Sequence, residues 1–369
     1  MDSFRAEDLE REVRYKSDQM KHIIAIVGAR PQFIKHAPLE LANKESPHPI
    51  KISTIHTGQH YDADMSDIFF FELGMNKPTF MLHIGSHSHG KQTAMMIEKI
   101  EEIILDERPD GILVYGDTNS TLAGALVGAK LHIPIFHVEA GLRSFNKEMP
   151  EEINRIITDH CSNILFAPTD VAIENLQNEG IFKNVVKSGD LMYDMILQAK
   201  NKIDIKSLVE YHNYYLATIH RPYNTDDLDR ILSILKMLDS LDEKVVFPMH
   251  PRTKILLQNF DIDLNKYSNI DVLSPVSYFS NVALMNNANA IITDSGGMQK
   301  EAYFLQKKCI TIRKETEWIE TLEGGWNHLV FEDLSLVQTY LKSKTEGYTS
   351  NLYGSGNSAN EILSVLSNF

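Results

Sequence analysis

Asp117 and Glu139 stand just beyond two short apolar runs, 112–115 and 133–138, and Glu151 and Glu152 open a helical pattern soon after. Ligands of open parallel sheets bind at the carboxyl ends of the strands, so these acids are placed to converge on one cleft. Carboxylates gathered in a cleft suit proton transfer, because burial and like-charge repulsion move their pKa values toward a working range. Glu151 follows Pro150 and can equally stabilise a first helical turn. Glu152 reads as the surface-facing neighbour, since adjacent helical positions do not share a face.

A second set of residues suits an anion. Asp294-Ser295-Gly296-Gly297 follows the apolar run 290–293 and precedes a helix over 298–305. Glycines at a helix start let a ligand approach the free N–H groups, and the helix dipole favours a phosphate there. Ser295 adds a hydroxyl, and Glu301, one turn in, is placed to accept from sugar hydroxyls; a plain Ser/Gly cap is the competing reading. Arg30, in Gly28-Ala29-Arg30-Pro31, closes the first apolar run and offers a planar fork for phosphate or carboxylate. Lys35 is a second basic candidate, although a lysine in a first helical turn is more often solvated. His220 and Arg221 end another run, and His250 and Arg252 repeat that placement. A lone histidine is usually structural, but one at a strand end can donate to a phosphate or act as an acid. No GxGxxG or GxxxxGK[ST] pattern follows a strand, so no dinucleotide cofactor is expected. His56, His60, His87 and His89 lack metal-ligand spacing, so no metal is expected either.

The elements that must hold these residues alternate. Strands are expected at 22–27, 51–56, 112–115, 133–138, 163–166 and 185–187, and then at 215–219, 245–248, 270–273, 290–293 and 309–311, with helices between. This rhythm predicts two doubly wound, Rossmann-like parallel sheets with the ligand between them. The expected division is a charged helical extension over 1–20, a first domain over 21–190, and a second over 191–355. The last helix, 356–369, is expected to pack back on the first domain. The chain has 369 residues, 43% hydrophobic and 23% charged, as an ordinary globular protein has. Its formal charge of −14 argues against non-specific binding to nucleic acid or anionic membranes. There is no apolar run near the roughly 20 residues that span a bilayer, and residues 1–20 are too charged for a signal peptide. Cys161 and Cys309 are isolated and read as buried thiols of a cytoplasmic protein.

Nine segments in order carry a resemblance: GARPQFIK (28–35), HTGQHYD (56–62), YGDTNSTLAGAL (115–126), HVEAGLRS (137–144), MPEEINR (149–155), IHRPYN (219–224), HPRTK (250–254), TDSGGMQKEA (293–302) and RKETEW (313–318). Together they resemble the non-hydrolysing UDP-N-acetylglucosamine 2-epimerase family over most of residues 22–365. The resemblance implies the two-domain GT-B fold and inversion at C2 of a UDP-linked 2-acetamido sugar. It implies anti elimination of UDP to a 2-acetamidoglucal and re-addition, with no redox cofactor or metal. By the same likeness Asp117, Glu139 and Glu151 match catalytic carboxylates, and His220 matches an essential histidine near the diphosphate. Arg30, Ser295, Gly296, Gly297 and Glu301 match UDP contacts. Arg143 and Arg155 match arginines near the catalytic site, and Arg313 lies in the RxxTE stretch. Pro275, Tyr278 and Phe279 lie where uracil is usually held. A cytoplasmic homodimer supplying an activated sugar for surface polysaccharide is implied in the same way. Gln59-His60-Tyr61-Asp62 and Pro222 depart from the pattern of members that UDP-GlcNAc activates allosterically. Glu315-Thr316-Glu317-Trp318 and GARPQFIK look more like the branch acting on UDP-2,3-diacetamido-2,3-dideoxyglucuronate, whose carboxylate calls for a further cation such as Lys91, His89 or Arg143. A hydrolysing relative, a GT-B glycosyltransferase and a silent UDP-sugar-binding protein are the competing readings.

Overall fold

The computed structural model describes residues 20–59, 70–202 and 210–369. The expected helical extension lies, up to residue 19, outside the described residues, as do His60, Tyr61 and Asp62.

The first lobe grows from β1 (His22–Val27), a run whose last five residues are all buried. A strand apolar on both faces must be covered on both, which suits parallel pairing in an α/β layer. Around it stand α1 (Arg30–Glu45), β2 (Lys51–His56), β3 (Phe80–Met81), α2 (His89–Glu107), β4 (Gly111–Tyr115) and α3 (Asn119–Leu131). The lobe continues through β5 (Ile135–Val138), α4 (Pro150–Cys161), β6 (Ile164–Ala167), α5 (Asp170–Asn178) and β7 (Val185–Lys187). Among the described residues the strand order is β3-β2-β1-β4-β5-β6-β7, all parallel.

α6 (Leu191–Lys202) leads to the second lobe. Its elements are β8 (Tyr214–Thr218), α7 (Pro222–Thr225), α8 (Leu228–Asp239), β9 (Lys244–Pro248), α9 (Pro251–Asn259), β10 (Ile270–Leu273) and α10 (Tyr278–Asn287). They continue with β11 (Ala290–Thr293), α11 (Gly296–Phe304), β12 (Lys308–Thr311), β13 (Asn327–Leu329), α12 (Leu336–Lys342) and α13 (Ser358–Asn368). The order is β10-β9-β8-β11-β12-β13, again parallel. The two doubly wound parallel sheets are those expected from the alternation, and together they form the GT-B architecture that the resemblance implies.

Among the described residues the strand order of each sheet reverses once, between β1 and β4 in the first and between β8 and β11 in the second. The carboxyl ends of these four strands form the switch points where open α/β sheets bind ligands. Arg30 follows β1, Asp117 follows β4, His220 follows β8 and Ser295 follows β11. α6 packs against α1 of one lobe and α11 of the other, while α13 packs against α1 and α6. Phe369 meets Phe136 edge-on at 5.0 Å. One apolar cluster therefore runs continuously from β1 and β5 through α6 to β8 and β11.

Two strands were not expected. β3 has two residues and β13 reads Asn-His-Leu, so neither carries a run of apolar residues long enough to announce itself. β8 sits one residue earlier than expected, leaving Ile219 buried just past the ladder. Cys309 is buried as expected, but Cys161 is only half-buried. No helix among the described residues is long and apolar enough to cross a membrane.

Candidate active site

Glu139 is the first residue after β5 and adopts a left-handed backbone, φ 69°. Non-glycine residues rarely do so, and such strain gathers at functional sites. Gly116, itself at φ 61° after β4, makes the room: a Cβ there would come within 3.2 Å of Glu139 Oε2. That oxygen accepts from Lys35 Nζ on α1. The other, Oε1, accepts from Lys300 Nζ on α11 at 2.6 Å. Lys300 also donates to Asp190 Oδ2 at 2.5 Å and lies 3.9 Å above the Trp318 ring. Burial alone would raise the Glu139 pKa; the ammonium groups of Lys300 and Lys35 outweigh it and hold the carboxyl at about 2. Glu139 is thus an ionised carboxylate at neutral pH, on the floor between the lobes.

Asp117 is about one-third exposed and accepts from Arg155 Nη2 on α4. Arg155 Nη1 donates to Glu152 Oε2 at 2.5 Å. Burial would lower the Arg155 pKa, but Asp117, Glu317 and Glu152 outweigh it, so the guanidinium stays charged. Asn154 Nδ2 donates to the Asp117 carbonyl at 2.9 Å, fixing the turn after β4 to α4. Glu151, the most exposed of the three candidate acids, lies 3.7 Å from Arg221 Nη1 of the second lobe.

In the second lobe Asp294 is fully buried after β11. Its carboxylate accepts from the backbone N–H groups of His220 and Arg221 and from Asn224 Nδ2, at 2.9–3.1 Å. His220 Nδ1 lies 3.2 Å from Asp294 Oδ1, which favours the tautomer protonated there. His250 stacks on the His220 ring at 5.1 Å. Burial lowers the His220 pKa, and Arg221, Arg30 and Arg252 act the same way against Asp294, so the ring is neutral at neutral pH. α11 begins at Gly296, with Ser295 as its cap residue and no side-chain hydrogen bond closing that end. A Cβ on Gly296 would sit 2.6 Å from Glu317 Oε1. Glu317 is ion-paired with Arg313 Nη2 at 3.0 Å. Burial would raise the Glu317 carboxyl, but Arg313 and Arg155 hold it below the usual range. Glu301, 3% exposed, is pushed up by burial, opposed by Arg30 and Lys300. Arg30 itself is exposed at the start of α1.

The structure gathers most of the residues singled out by sequence, across both switch points. Asp117, Glu139, Glu151, Arg155 and Lys35 come from the first lobe, and His220, Ser295, Gly296, Gly297, Glu301 and Arg313 from the second. Three readings need correction. Glu152 is not a surface residue: it is 1% exposed and accepts from Ser144 N, Ser144 Oγ and Phe145 N as well as Arg155. The α4 start is enclosed by the preceding loop, so both neighbouring glutamates are engaged, on different sides. Lys35 is not solvated: it is buried on Glu139. Arg143 holds no free fork for a ligand, because Nε and Nη2 bind Glu179 and Nη1 binds Asp159, each at 2.7 Å. Pro275 is exposed beside a cavity of 260 Å³ formed with Met249, Lys254 and Leu257. Phe279 is half-buried, and its N–H, with that of Tyr278, donates to Glu72 of the first lobe at 2.8 and 3.1 Å.

Lys300, Asp190 and Glu317 were missed as site residues. Asp190 follows β7 and Lys300 follows the Ser-Gly-Gly turn by one helical turn, so strand ends and helix periodicity held a signal for both. Nothing local marks Lys300 as buried.

A family model described as UDP-N-acetylglucosamine 2-epimerase matches residues 42–367. A "UDP-N-acetylglucosamine 2-epimerase homolog" of Methanococcus maripaludis is 49% identical, over 94% of this chain and 99% of that protein. The "UDP-2,3-diacetamido-2,3-dideoxy-D-glucuronate 2-epimerase" of Pseudomonas aeruginosa is 44% identical, over 93% and 99%. The crystal structure of the Methanocaldococcus jannaschii UDP-GlcNAc 2-epimerase in complex with UDP-GlcNAc and UDP superposes with a TM-score of 0.86 at 40% identity, covering 95% of this chain and all of that one. With Glu139 of one lobe held by Lys300 and Glu151 beside Arg221 of the other, and matches that span nearly the whole chain, this protein belongs to the UDP-N-acetylglucosamine 2-epimerase family.

Proposed function

We propose that the chain is a non-hydrolysing epimerase that inverts C2 of a UDP-linked 2-acetamido sugar, of the UDP-GlcNAc to UDP-ManNAc type. A carboxylate removes the C2 proton as the C1–O bond breaks, giving UDP and a 2-acetamidoglucal. UDP then adds back to C1 while a proton reaches C2 from the opposite face. Asp117, Glu139 and Glu151 supply the acceptor and the donor on the two faces. Arg155 holds Asp117, and Lys35 holds Glu139. Arg30, His220, Ser295, Gly296, Gly297 and Arg313 meet the leaving diphosphate with charge and N–H dipoles, Glu301 the ribose, and Pro275 and Phe279 the uracil.

The observation that carries this reading is the pair of contacts joining the lobes at the candidate acids. Glu139 meets Lys300 at 2.6 Å and Glu151 meets Arg221 at 3.7 Å, each joining a candidate acid to the lobe of the phosphate cradle. The Pseudomonas relative supports a second substrate, the diacetamido-glucuronate. With Arg143 committed to Asp159 and Glu179, the remaining candidates for its carboxylate are Lys91 and His89, at the start of α2. A cytoplasmic homodimer is part of the same reading, as is a division into lobes at 190/191 with the last helix returning to the first.

The test is incubation in deuterated water with each UDP-sugar in parallel. Deuterium is expected at C2 of a recovered UDP-sugar. Free UDP with free sugar identifies a hydrolase instead, and no exchange with either substrate overturns the proposal.

A further inference from the structure

Lys300 belongs to the second lobe, yet its ammonium is spent mostly on the first. It is 1% exposed at the side chain. An ammonium has three N–H groups. Glu139 and Asp190 each take one, at 2.6 and 2.5 Å, and the Trp318 ring lies 3.9 Å away. Lys35 occupies the other oxygen of Glu139, so the two lysines fix the plane of that carboxylate from opposite lobes. The backbone of Glu139, at φ 69°, persists because these contacts over-determine it.

α11 carries both ends of the argument. Its first turn is the open Ser295-Gly296-Gly297 start, and Lys300 is one turn further along. A packed helix moves as a unit, so an anion seated at its start and the ammonium on Glu139 cannot shift independently. We propose that Lys300 is a positioning residue: it holds the Glu139 carboxylate in its reactive orientation from the nucleotide lobe and couples occupancy of the α11 start to that alignment. The inference rests on the epimerase reading above and adds to it a residue whose ammonium is held by Glu139 and Asp190.

The charges around Glu139 set the expected pH behaviour. Lys35 faces it from α1, Lys300 from α11, and Asp190 from the segment ahead of α6. Glu301, Glu320 and Tyr353 lie within electrostatic reach of the same network. Removing Lys300 leaves Lys35 as the one ammonium in this set against four carboxylates, so Glu139 ionises less readily.

The full-length wild type is compared with Lys300→Met and Lys300→Gln for turnover, UDP affinity by calorimetry, and the pH profile of kcat. Lys300→Met is expected to lose about 100-fold in kcat, the scale of a 1 Å misplacement. KM and UDP affinity should stay within about 3-fold, and an acid limb should enter the measurable pH range. Lys300→Gln keeps a donor without the charge and is expected to lose about 10-fold, so it serves if the methionine variant does not fold. In a Glu139→Gln background either change should add less than 3-fold. Wild-type turnover and profile in the variants, a fall in UDP affinity matching the fall in kcat, or full additivity with Glu139→Gln overturns the inference. A readout independent of the reaction is Trp318 fluorescence in a Trp326→Phe background. UDP should change it when Lys300 is present and not when it is methionine. The same UDP response in both proteins, or none in either, overturns the coupling whatever reaction the site runs.

Discussion

Two of the candidate acids differ in what surrounds them, and that difference separates chemistry from stability. Glu139 is buried between Lys35 and Lys300, whereas Asp117 is part-exposed and its partner Arg155 keeps Glu152 when Asp117 is neutralised. Glu139→Gln and Asp117→Asn are both expected to slow C2 hydrogen exchange by at least about 100-fold. Only Glu139→Gln should also lower stability, by about 3 kcal/mol, because it strands buried ammonium groups; chemical denaturation of both variants checks this. The sign with pH follows. The Glu139 carboxyl is held at about 2 in the folded chain against an ordinary value near 4.5. Its contribution is therefore complete above the unfolded value and is lost as pH falls from about 4.5 through about 2. An acid titration of Glu139→Gln should lack that component.

At the scale of the element, the α11 start is the part built for close approach. Gly296 has no room for a side chain, since a Cβ would meet Glu317 Oε1 at 2.6 Å. Gly296→Ala is expected to weaken UDP binding by at least about tenfold, by displacing Glu317 and Arg313 and by covering N–H groups that suit a phosphate. Calorimetry with UDP reads this directly, and unchanged affinity would remove the helix start from the phosphate site. α4 shows how an element divides adjacent residues. Glu151 turns to Arg221 of the other lobe, while Glu152 accepts from the Ser144–Phe145 loop and Arg155. Helix periodicity separates the two side chains, but it does not say which side is solvent.

At the scale of the whole molecule, the lobes are joined by α6, by α13 and by polar contacts across the cleft. Glu72 accepts from the start of α10, Asn146 donates to Glu315 and Thr169 donates to Glu320, the last two at 2.6 Å. α13 is held partly by Asp194 of α6, which accepts from the Ala359 N–H at 2.8 Å. Burial raises the Asp194 carboxyl to about 6, against the hydrogen bond from Ala359. Here the sign is reversed. Between the ordinary value near 3.8 and about 6 the folded chain binds more protons than the unfolded, so this group's contribution improves as pH falls and its penalty is complete above 6. Asp194→Asn is expected to raise stability by about 1–2 kcal/mol at pH 8 and to give no gain near pH 4. Thermal unfolding at the two pH values tests it.

Much of this was legible in the sequence. Short apolar runs alternating with helical stretches pointed to parallel strands, because strands covered by helices on both faces are apolar on both, and the acids, glycines and His220 were marked by following those runs. Nine motifs in order specified the family, since each sits at the end of a strand or the start of a helix, where residue types depend on local chemistry. The exceptions share one cause. Lys35, Lys300 and Glu152 are ordinary surface residue types, and their burial depends on partners brought close only by the packed sheets, as far apart as the 161 residues between Glu139 and Lys300. The commitment of Arg143 to Asp159 and Glu179 has the same origin. Residue type and spacing determined eleven of the thirteen described strands, all but β3 and β13, and which groups stand at their ends. Tertiary packing alone decided which charges lose water, which partners restore them, and hence that Glu139 is ionised on the floor of the crevice, because desolvation and ion pairing belong to the assembled lobes and to no local stretch of chain.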